Sequence, residues 1–101
     1  KFKKIFGGIM NALQNAYITL KTNNLTEGQY DFSKKWLGRD RSYYGSMKAR
    51  QRQAGLRTML TLAGNLTKAL VRAKAEQRGK DAAILEKLSG RIWDSVMVGR
   101  C

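Results

Sequence analysis

The sequence contains no histidine and only one cysteine, the terminal Cys101. One chain can therefore supply neither the nitrogen and sulfur ligands of a structural zinc site nor an internal disulfide. Its seven acidic residues are scattered, which leaves no evident nucleophile, general base or metal cage. We therefore expect no enzymatic activity, no cofactor, no metal and no small-molecule substrate. A reduced, cytoplasmic setting fits this composition, and an intermolecular bridge through Cys101 stays open.

Long apolar runs are also missing, since the longest fall far short of the roughly 20 residues that a transmembrane helix needs. There is no proline, no low-complexity tract and no internal repeat. The hydrophobic fraction of 43% is nevertheless ordinary for a chain that folds, which argues against a disordered basic tail. A length of 101 residues suits one small domain with a single core.

Acidic residues are few relative to basic ones, since 20 lysines and arginines against 7 aspartates and glutamates give a formal net charge of +13. Such a charge repels itself in a compact chain unless the working partner is a polyanion. Nucleic acid is the leading candidate, and an anionic membrane surface is the second. Between residues 34 and 57 the single acid Asp40 stands among eight basic residues: Lys34, Lys35, Arg39, Arg41, Lys48, Arg50, Arg52 and Arg57.

Apolar residues that recur at steps of three and four predict an all-α fold of five helices. The first helix, about 2–21, is either a core-packing helix or an amphipathic helix on a membrane, with Lys1, Lys3 and Lys4 at the headgroups. The second helix, about 27–37, has Thr26 as its predicted N-cap, with Gln29 at the capping-box spacing. Its inward candidates are Tyr30, Phe32, Ser33, Trp36 and Leu37.

Gly38 is expected to end the second helix, because glycine tolerates the positive φ at which helices commonly close. The third helix, about 41–50, would follow Asp40, whose carboxylate can accept the amides of residues 42 and 43. This helix would bury Tyr44 and Met47. Its outward residues would be Arg41, Ser42, Tyr43, Gly45, Ser46 and Arg50. Gly45 has two interpretations that stay open, namely close approach to a neighbouring helix or to a DNA backbone.

The fourth helix, about 56–74, has the best apolar periodicity in the sequence, and Gly79 is a candidate for the break after it. The fifth helix, about 80–98, either caps the core or offers its apolar stripe to a second copy of the chain. We favour the second use and expect a homodimer, because tryptophan and methionine on a terminal helix suit interfaces. The predicted dimer contacts are Leu85, Leu88, Ile92, Trp93 and Val96.

The order of parts between Phe32 and Leu66 is that of a helix-turn-helix followed by its supporting helix. The run Gly38-Arg39-Asp40-Arg41-Ser42, followed after a helix-length gap by Leu56-x-x-x-Leu60-x-Leu62-Ala63-x-x-Leu66, resembles the phage repressor and Cro-like family. This resemblance implies a lambda repressor-like domain over residues 1–79, with 80–101 as the C-terminal helix of the same domain.

The family resemblance also implies which residues meet DNA. The groove-facing positions would be Arg41, Ser42, Tyr43, Gly45 and Ser46, and Gln29 would touch a phosphate. Family members usually carry a small residue four positions before the glycine, where this chain has Lys34, and Ser33 lies one step away. We therefore expect the second helix to be shifted or lengthened by one residue.

These observations favour a sequence-specific regulator of transcription that binds double-stranded DNA in the nucleoid. Arg41, at the amino end of the third helix, can offer two donors to a guanine edge in the major groove. The basic residues flanking it would contact phosphates, which sets affinity and register without reading sequence. The predicted phosphate-binding set is Gln29, Lys34, Lys35, Arg39, Lys48, Arg50, Arg52 and Arg57.

Two other functions stay open at this point. One is an architectural or accessory factor without sequence preference, or an RNA-binding protein that stacks bases on Tyr43, Tyr44 and Trp36. The other is an interaction module, in which the amphipathic ends bind a membrane or a partner protein and the helix-turn-helix serves only as a scaffold.

Overall fold

A computed structural model describes residues 12–50 and 54–98, and within these ranges every regular element is helical. Four of the helices are regular: α1 (Ala12–Thr22), α3 (Tyr43–Ala49), α4 (Leu56–Ala75) and α5 (Gly79–Val98). The remaining helix, α2, starts as an α-helical turn at Gln29–Asp31 and continues as a π-helical turn at Phe32–Trp36. The all-α class with five helices is therefore confirmed for the described part of the chain. No helix in these ranges is long and apolar enough to cross a membrane.

A single hydrophobic core collects one face of each helix. The long helices α4 and α5 pack against each other as a hairpin, α1 contacts α5, and α2 contacts both α3 and α4. The largest fully buried side chains include Leu20 of α1, Phe32 of α2, Tyr44 of α3, Leu62 and Leu66 of α4, and Leu85 and Ile92 of α5. The described part of the first helix thus packs in the core, whereas Lys1, Lys3 and Lys4 lie outside the described residues.

An aromatic cluster joins α1, α2 and α3. The ring centroids of Tyr17 and Phe32 are 5.3 Å apart, those of Phe32 and Tyr44 are 5.2 Å apart, and those of Tyr17 and Tyr44 are 4.8 Å apart. Both contacts of Phe32 are edge-on, the arrangement that aromatic pairs prefer, and each such pair stabilises by about 0.5–1.5 kcal/mol beyond its buried area. This cluster fixes α3 against α1 and α2.

The start of α2 differs from the prediction. The Thr26 hydroxyl donates to Asp31 Oδ2 at 2.6 Å, and the Glu27 amide donates to the same oxygen at 3.2 Å. Thr26 is therefore held by a side chain inside α2 and is not the N-cap, and the helix begins at Gln29 after Gly28. Tyr30 is also not an inward residue, since 64% of its surface is exposed.

Three described residues adopt a left-handed backbone conformation, with positive φ, and each lies in a turn between two helices: Asn24, Gly38 and Gln77. Gly38 has φ 66°, which confirms the predicted end of α2. After α4 the chain turns at Gln77, with φ 58°, and not at Gly79, which is the first residue of α5. There the amide of Arg78 donates to the carbonyl of Ala73 at 2.8 Å, the bond that closes a Schellman turn.

The apolar stripe of α5 packs within its own chain. Leu85, Leu88 and Ile92 are 1%, 3% and 1% exposed and belong to the core, so the prediction that they contact a second copy is wrong. Val96 is half-buried against the same core. Trp93 is 38% exposed, and its Nε1 donates to Thr67 Oγ1 of α4 at 3.1 Å. Such a stripe shows which face of a helix is buried but not which element covers it.

Candidate nucleic-acid interface

The turn between α2 and α3 is organised by Asp40. Its carboxylate accepts the Ser42 amide at 3.0 Å and also the Ser42 hydroxyl. These hydrogen bonds from Ser42, with the nearby charge of Arg41, hold the pKa of Asp40 below its usual value of 3.8. Asp40 was expected to accept the amide of residue 43 as well, but Tyr43 donates to the backbone carbonyl of Asp40 at 2.9 Å. As a result α3 begins at Tyr43, two residues later than predicted.

Ser33 supplies the cap that Asp40 does not. Its hydroxyl is fully buried, donates to the carbonyl of Gln29 at 2.9 Å, and accepts the amide of Tyr44 at 3.0 Å. The first amides of a helix have no partner within the helix, so a hydroxyl from α2 satisfies one that α3 cannot. This pair of bonds fixes the start of α3 to the middle of α2.

The π-helical turn of α2 explains why Ser33 is in this position. The amide of Leu37 donates to the carbonyl of Phe32 at 3.1 Å, a bond that spans five residues instead of four. This turn therefore encloses one residue more than an α-helical turn does. It also lets Phe32, Ser33, Trp36 and Leu37 all face the core, while the lysines between them stay exposed.

Arg39 and Tyr43 are tied to the first turn of α4. Arg39 Nε donates to Thr58 Oγ1 at 3.0 Å, and the Tyr43 hydroxyl donates to the same oxygen at 3.4 Å. The Arg39 guanidinium also stacks over the Tyr43 ring, 5.1 Å from its centroid. Tyr43 is half-buried, so the expectation that it faces outward to read bases is corrected. Both residues position the turn and α3 relative to α4.

The other predicted base-reading residues divide into two groups. Arg41, Ser42 and Ser46 are exposed, and the Arg41 guanidinium lies over the exposed ring of Tyr30, 5.6 Å from its centroid. Gly45 is half-buried, and a Cβ built on it would lie 3.5 Å from Gln29 Oε1. A contact at 3.5 Å is an ordinary van der Waals distance, so it does not require a glycine at this position.

The predicted phosphate-binding cations are exposed wherever the structure describes them: Lys34, Lys35, Arg39, Lys48, Arg50 and Arg57. Gln29 is half-buried, and Arg52 lies outside the described residues. Residues 41–75 contain no acid at all, whereas α5 carries three acids against three basic residues. Among the described residues, ion pairs occur only at Arg78, with Glu76 and Asp81, in the turn between α4 and α5. The cations of α2, α3 and α4 therefore have no ion-pair partner within this part of the chain.

A groove between α2 and α4 contains residues that the sequence did not single out. It has a volume of about 180 Å³ and is lined by Lys35, Trp36, Asn65, Lys68, Ala69 and Arg72. Asn65 Nδ2 donates to the carbonyls of Trp36 at 2.9 Å and Lys35 at 3.3 Å, which ties α4 to the last turn of α2. The four lining residues of α4 have the spacing of one helix face, and this spacing is the feature of the sequence from which their shared position could have been predicted.

Base stacking on the predicted aromatic residues is contradicted by burial. Tyr44 and Trp36 are 2% and 4% exposed, and Tyr43 is engaged with Thr58. The interpretation of Trp36 and Tyr44 as parts of a platform for RNA bases is therefore wrong, because no base can reach the faces of these two buried rings.

Comparison with known protein families finds a match over most of the chain. The profile of a family described as a family of unknown function, DUF6626, matches residues 13–101. No curated protein and no solved structure matches the chain.

Proposed function

The chain belongs to the DUF6626 family, and we propose that it is a sequence-specific DNA-binding regulator. In this proposal α2, the turn after it and α3 act as a helix-turn-helix, and the amino end of α3 enters the major groove. The observation that carries the proposal is the exposure of Arg41, Ser42 and Ser46 around that end, while Tyr44 is buried between them and anchors α3. Exposed polar side chains on a fixed helix end are what direct readout of bases needs.

The geometry of α2 supports this interpretation. In the phage repressor-like proteins that the sequence resembles, a small residue usually stands four positions before the glycine of the turn. Here Ser33 stands five positions before Gly38, and the π-helical turn takes up the additional residue. Ser33 is fully buried against the start of α3, where a larger side chain would separate the two helices.

The distribution of charge gives the second support. Exposed cations flank the turn and α3, and no acid lies between residues 41 and 75 to compete with phosphates for them. Cations that contact phosphates release counterions from the duplex, so affinity falls steeply with salt. If six of the predicted residues make such contacts, the slope of log K against log salt is about −5.

The proposed roles follow from exposure and hydrogen bonding. Arg41 reads a base edge, and its contact with Tyr30 restricts the guanidinium before DNA is bound. Ser42 and Ser46 contact bases or phosphates near it. Arg39 and Tyr43 act through Thr58 by fixing the angle between α3 and α4.

Titration of labelled duplexes tests this function. We expect the full chain to prefer some genomic fragments over a random duplex at about 200 mM salt, where weak phosphate contacts no longer suffice. Arg41→Ala should remove the preference and leave weak binding, whereas Lys34→Ala should weaken binding to all duplexes alike. Equal effects of the two substitutions on every duplex would refute the assignment of Arg41 and favour a factor without sequence preference.

A homodimer on a two-fold site stays part of this proposal, although without an assigned interface. Three of the five predicted contact residues are buried in the core of the single chain, and Trp93 is bonded to Thr67. Selected binding sites would report the symmetry, because a dimer of this kind binds two inverted half-sites about one helical turn apart.

A further inference from the structure

We propose that the groove between the last turn of α2 and the middle of α4 binds a phosphoryl group through Lys35, Lys68, Arg72 and the indole N–H of Trp36. Neither the sequence nor the helix-turn-helix resemblance assigns this groove. The phosphoryl group could come from a DNA backbone or from a free phosphorylated ligand. The inference rests on the proposed function only in the first case.

The first observation is an unsatisfied donor. Trp36 is 4% exposed, and its Nε1 is the one buried side-chain nitrogen or oxygen in the described part of the chain that has no hydrogen-bond partner. Buried N–H groups nearly always have an acceptor, and each exception calls for a specific reason, such as a bound ion or water. Because Trp36 is one of the residues that line the groove, an acceptor in the groove is the simplest partner for this donor.

The second observation is the charge around the same indole. Lys35 Nζ lies 5.9 Å from the centroid of the Trp36 ring, and Lys68 and Arg72 line the groove from α4. Lys68 and Arg72 are four residues apart, a spacing at which like charges on a helix destabilise it slightly. None of the three cations has a carboxylate within ion-pair distance among the described residues, and no acid lines the groove. An anion would offset this repulsion.

Asn65 removes the main obstacle to an anion in this position. The carbonyls at the carboxyl end of a helix carry partial negative charge and repel anions. Asn65 Nδ2 donates to two of these carbonyls, those of Lys35 and Trp36. The nearest acid on α2, Asp31, is one turn away, and its carboxylate accepts from the Thr26 hydroxyl and the Glu27 amide.

The chemistry of the lining selects a phosphoryl group over a carboxylate. A guanidinium and two ammonium groups provide donors from both helices, and a phosphate offers several oxygens to meet them. The volume of about 180 Å³ is large enough for a phosphate and too small to enclose a nucleotide. The phosphate is therefore either one unit of a DNA backbone that continues outside the groove or the end group of a free ligand.

The two tryptophan indole N–H resonances of the full chain provide the test, measured by proton–nitrogen NMR during titration with inorganic phosphate. Trp93 is the internal control, because its Nε1 already donates to Thr67 Oγ1. We expect the Trp36 resonance to shift saturably and the Trp93 resonance to stay in place. Trp36→Phe keeps the ring but removes the donor, and it should weaken phosphate binding without unfolding the protein.

Charge-matched variants separate this site from general attraction. Lys68→Gln with Arg72→Gln should lower phosphate affinity about tenfold or more, because charged hydrogen bonds are lost. The control is Lys87→Gln with Arg91→Gln, which removes the same two charges at the same spacing from exposed positions of α5. No response of Trp36 to phosphate or duplex, or an equal loss in both double variants, would overturn the proposal.

A duplex titration identifies the source of the phosphate. If the groove holds a backbone phosphate, the Lys68 and Arg72 variant also lowers duplex affinity and makes the salt slope about 2 units less negative. If duplex affinity is unchanged while inorganic phosphate still shifts Trp36, the groove serves a free phosphorylated ligand. If the duplex binds but the Trp36 resonance does not shift, only the proposal of a phosphate site in the groove is refuted. If phosphate shifts the Trp36 resonance but no duplex binds, only the proposed DNA-binding function is refuted.

Discussion

Replacing Ser33 by alanine tests how α3 is held. The substitution removes the acceptor of the Tyr44 amide, which in the folded protein is 3.0 Å from the Ser33 hydroxyl and shielded by side chains that are fully buried. Leaving a buried N–H without an acceptor costs about 1–3 kcal/mol. In a domain of this size each kcal/mol lowers the melting temperature by about 4–8 °C. We therefore expect Ser33→Ala to lower it by roughly 5–20 °C.

The assay is thermal unfolding followed by circular dichroism, with Ser46→Ala as the matched control. Ser46 lies on the exposed side of α3, and its side chain makes no hydrogen bond within the described part of the chain, so its loss should change stability by less than about 0.5 kcal/mol. If Ser33→Ala and Ser46→Ala melt at the same temperature, the hydroxyl of Ser33 does not anchor α3. The explanation of the π-helical turn would then also fail.

Four further substitutions test stability. Gly38→Ala should lower the free energy of unfolding in urea by about 1–2 kcal/mol, because Gly38 has φ 66° and a Cβ there would lie 3.3 Å from Thr61 Cγ2. Gln77→Gly should raise the free energy of unfolding, because Gln77 has φ 58° and glycine adopts this backbone conformation without a steric penalty. Burial raises the pKa of Tyr44 from 10.0 to about 12, so the folded state holds this proton more tightly. This difference in pKa contributes about 2–3 kcal/mol to the free energy of unfolding; the contribution is complete below pH 10 and is lost as the pH rises towards 12. Unfolding curves of Tyr44→Phe at alkaline pH should lack this loss of stability. Leu88→Ala should cost about 2–5 kcal/mol without changing the mass in sedimentation equilibrium, because Leu88 packs within its own chain. An undiminished alkaline loss of stability in Tyr44→Phe, or a changed mass in Leu88→Ala, would contradict the respective reasoning.

The long helices were predictable from sequence because their apolar residues repeat regularly over many turns. The bounds of α4 and α5 were predicted to within one residue at each end. The short helices were less accessible, since local hydrogen bonds compete there with the expected caps. At the start of α2, the Asp31 carboxylate accepts the Thr26 hydroxyl. Before α3, the Asp40 carboxylate accepts both the amide and the hydroxyl of Ser42.

The candidate site was predictable where exposure follows from helical position, as for Ser46 of α3. It was not predictable where a side chain meets a distant part of the chain. Tyr43 bonds to a threonine 15 residues later, and Trp36 shares a groove with α4 residues about 30 positions away. Lys68 and Arg72 have the appearance of ordinary solvated residues in the sequence, and only the packing of α2 on α4 brings them beside Lys35.

Selection of bound duplexes from a random DNA pool, carried out with the wild-type chain and with Arg41→Ala, tests DNA recognition most directly. At about 200 mM salt we expect the wild-type chain to enrich a short recurring motif and the variant to lose at least one position of it. Enrichment of no motif by the wild-type chain, or of the same motif by both proteins, would contradict the role of α3 as a reader of DNA sequence.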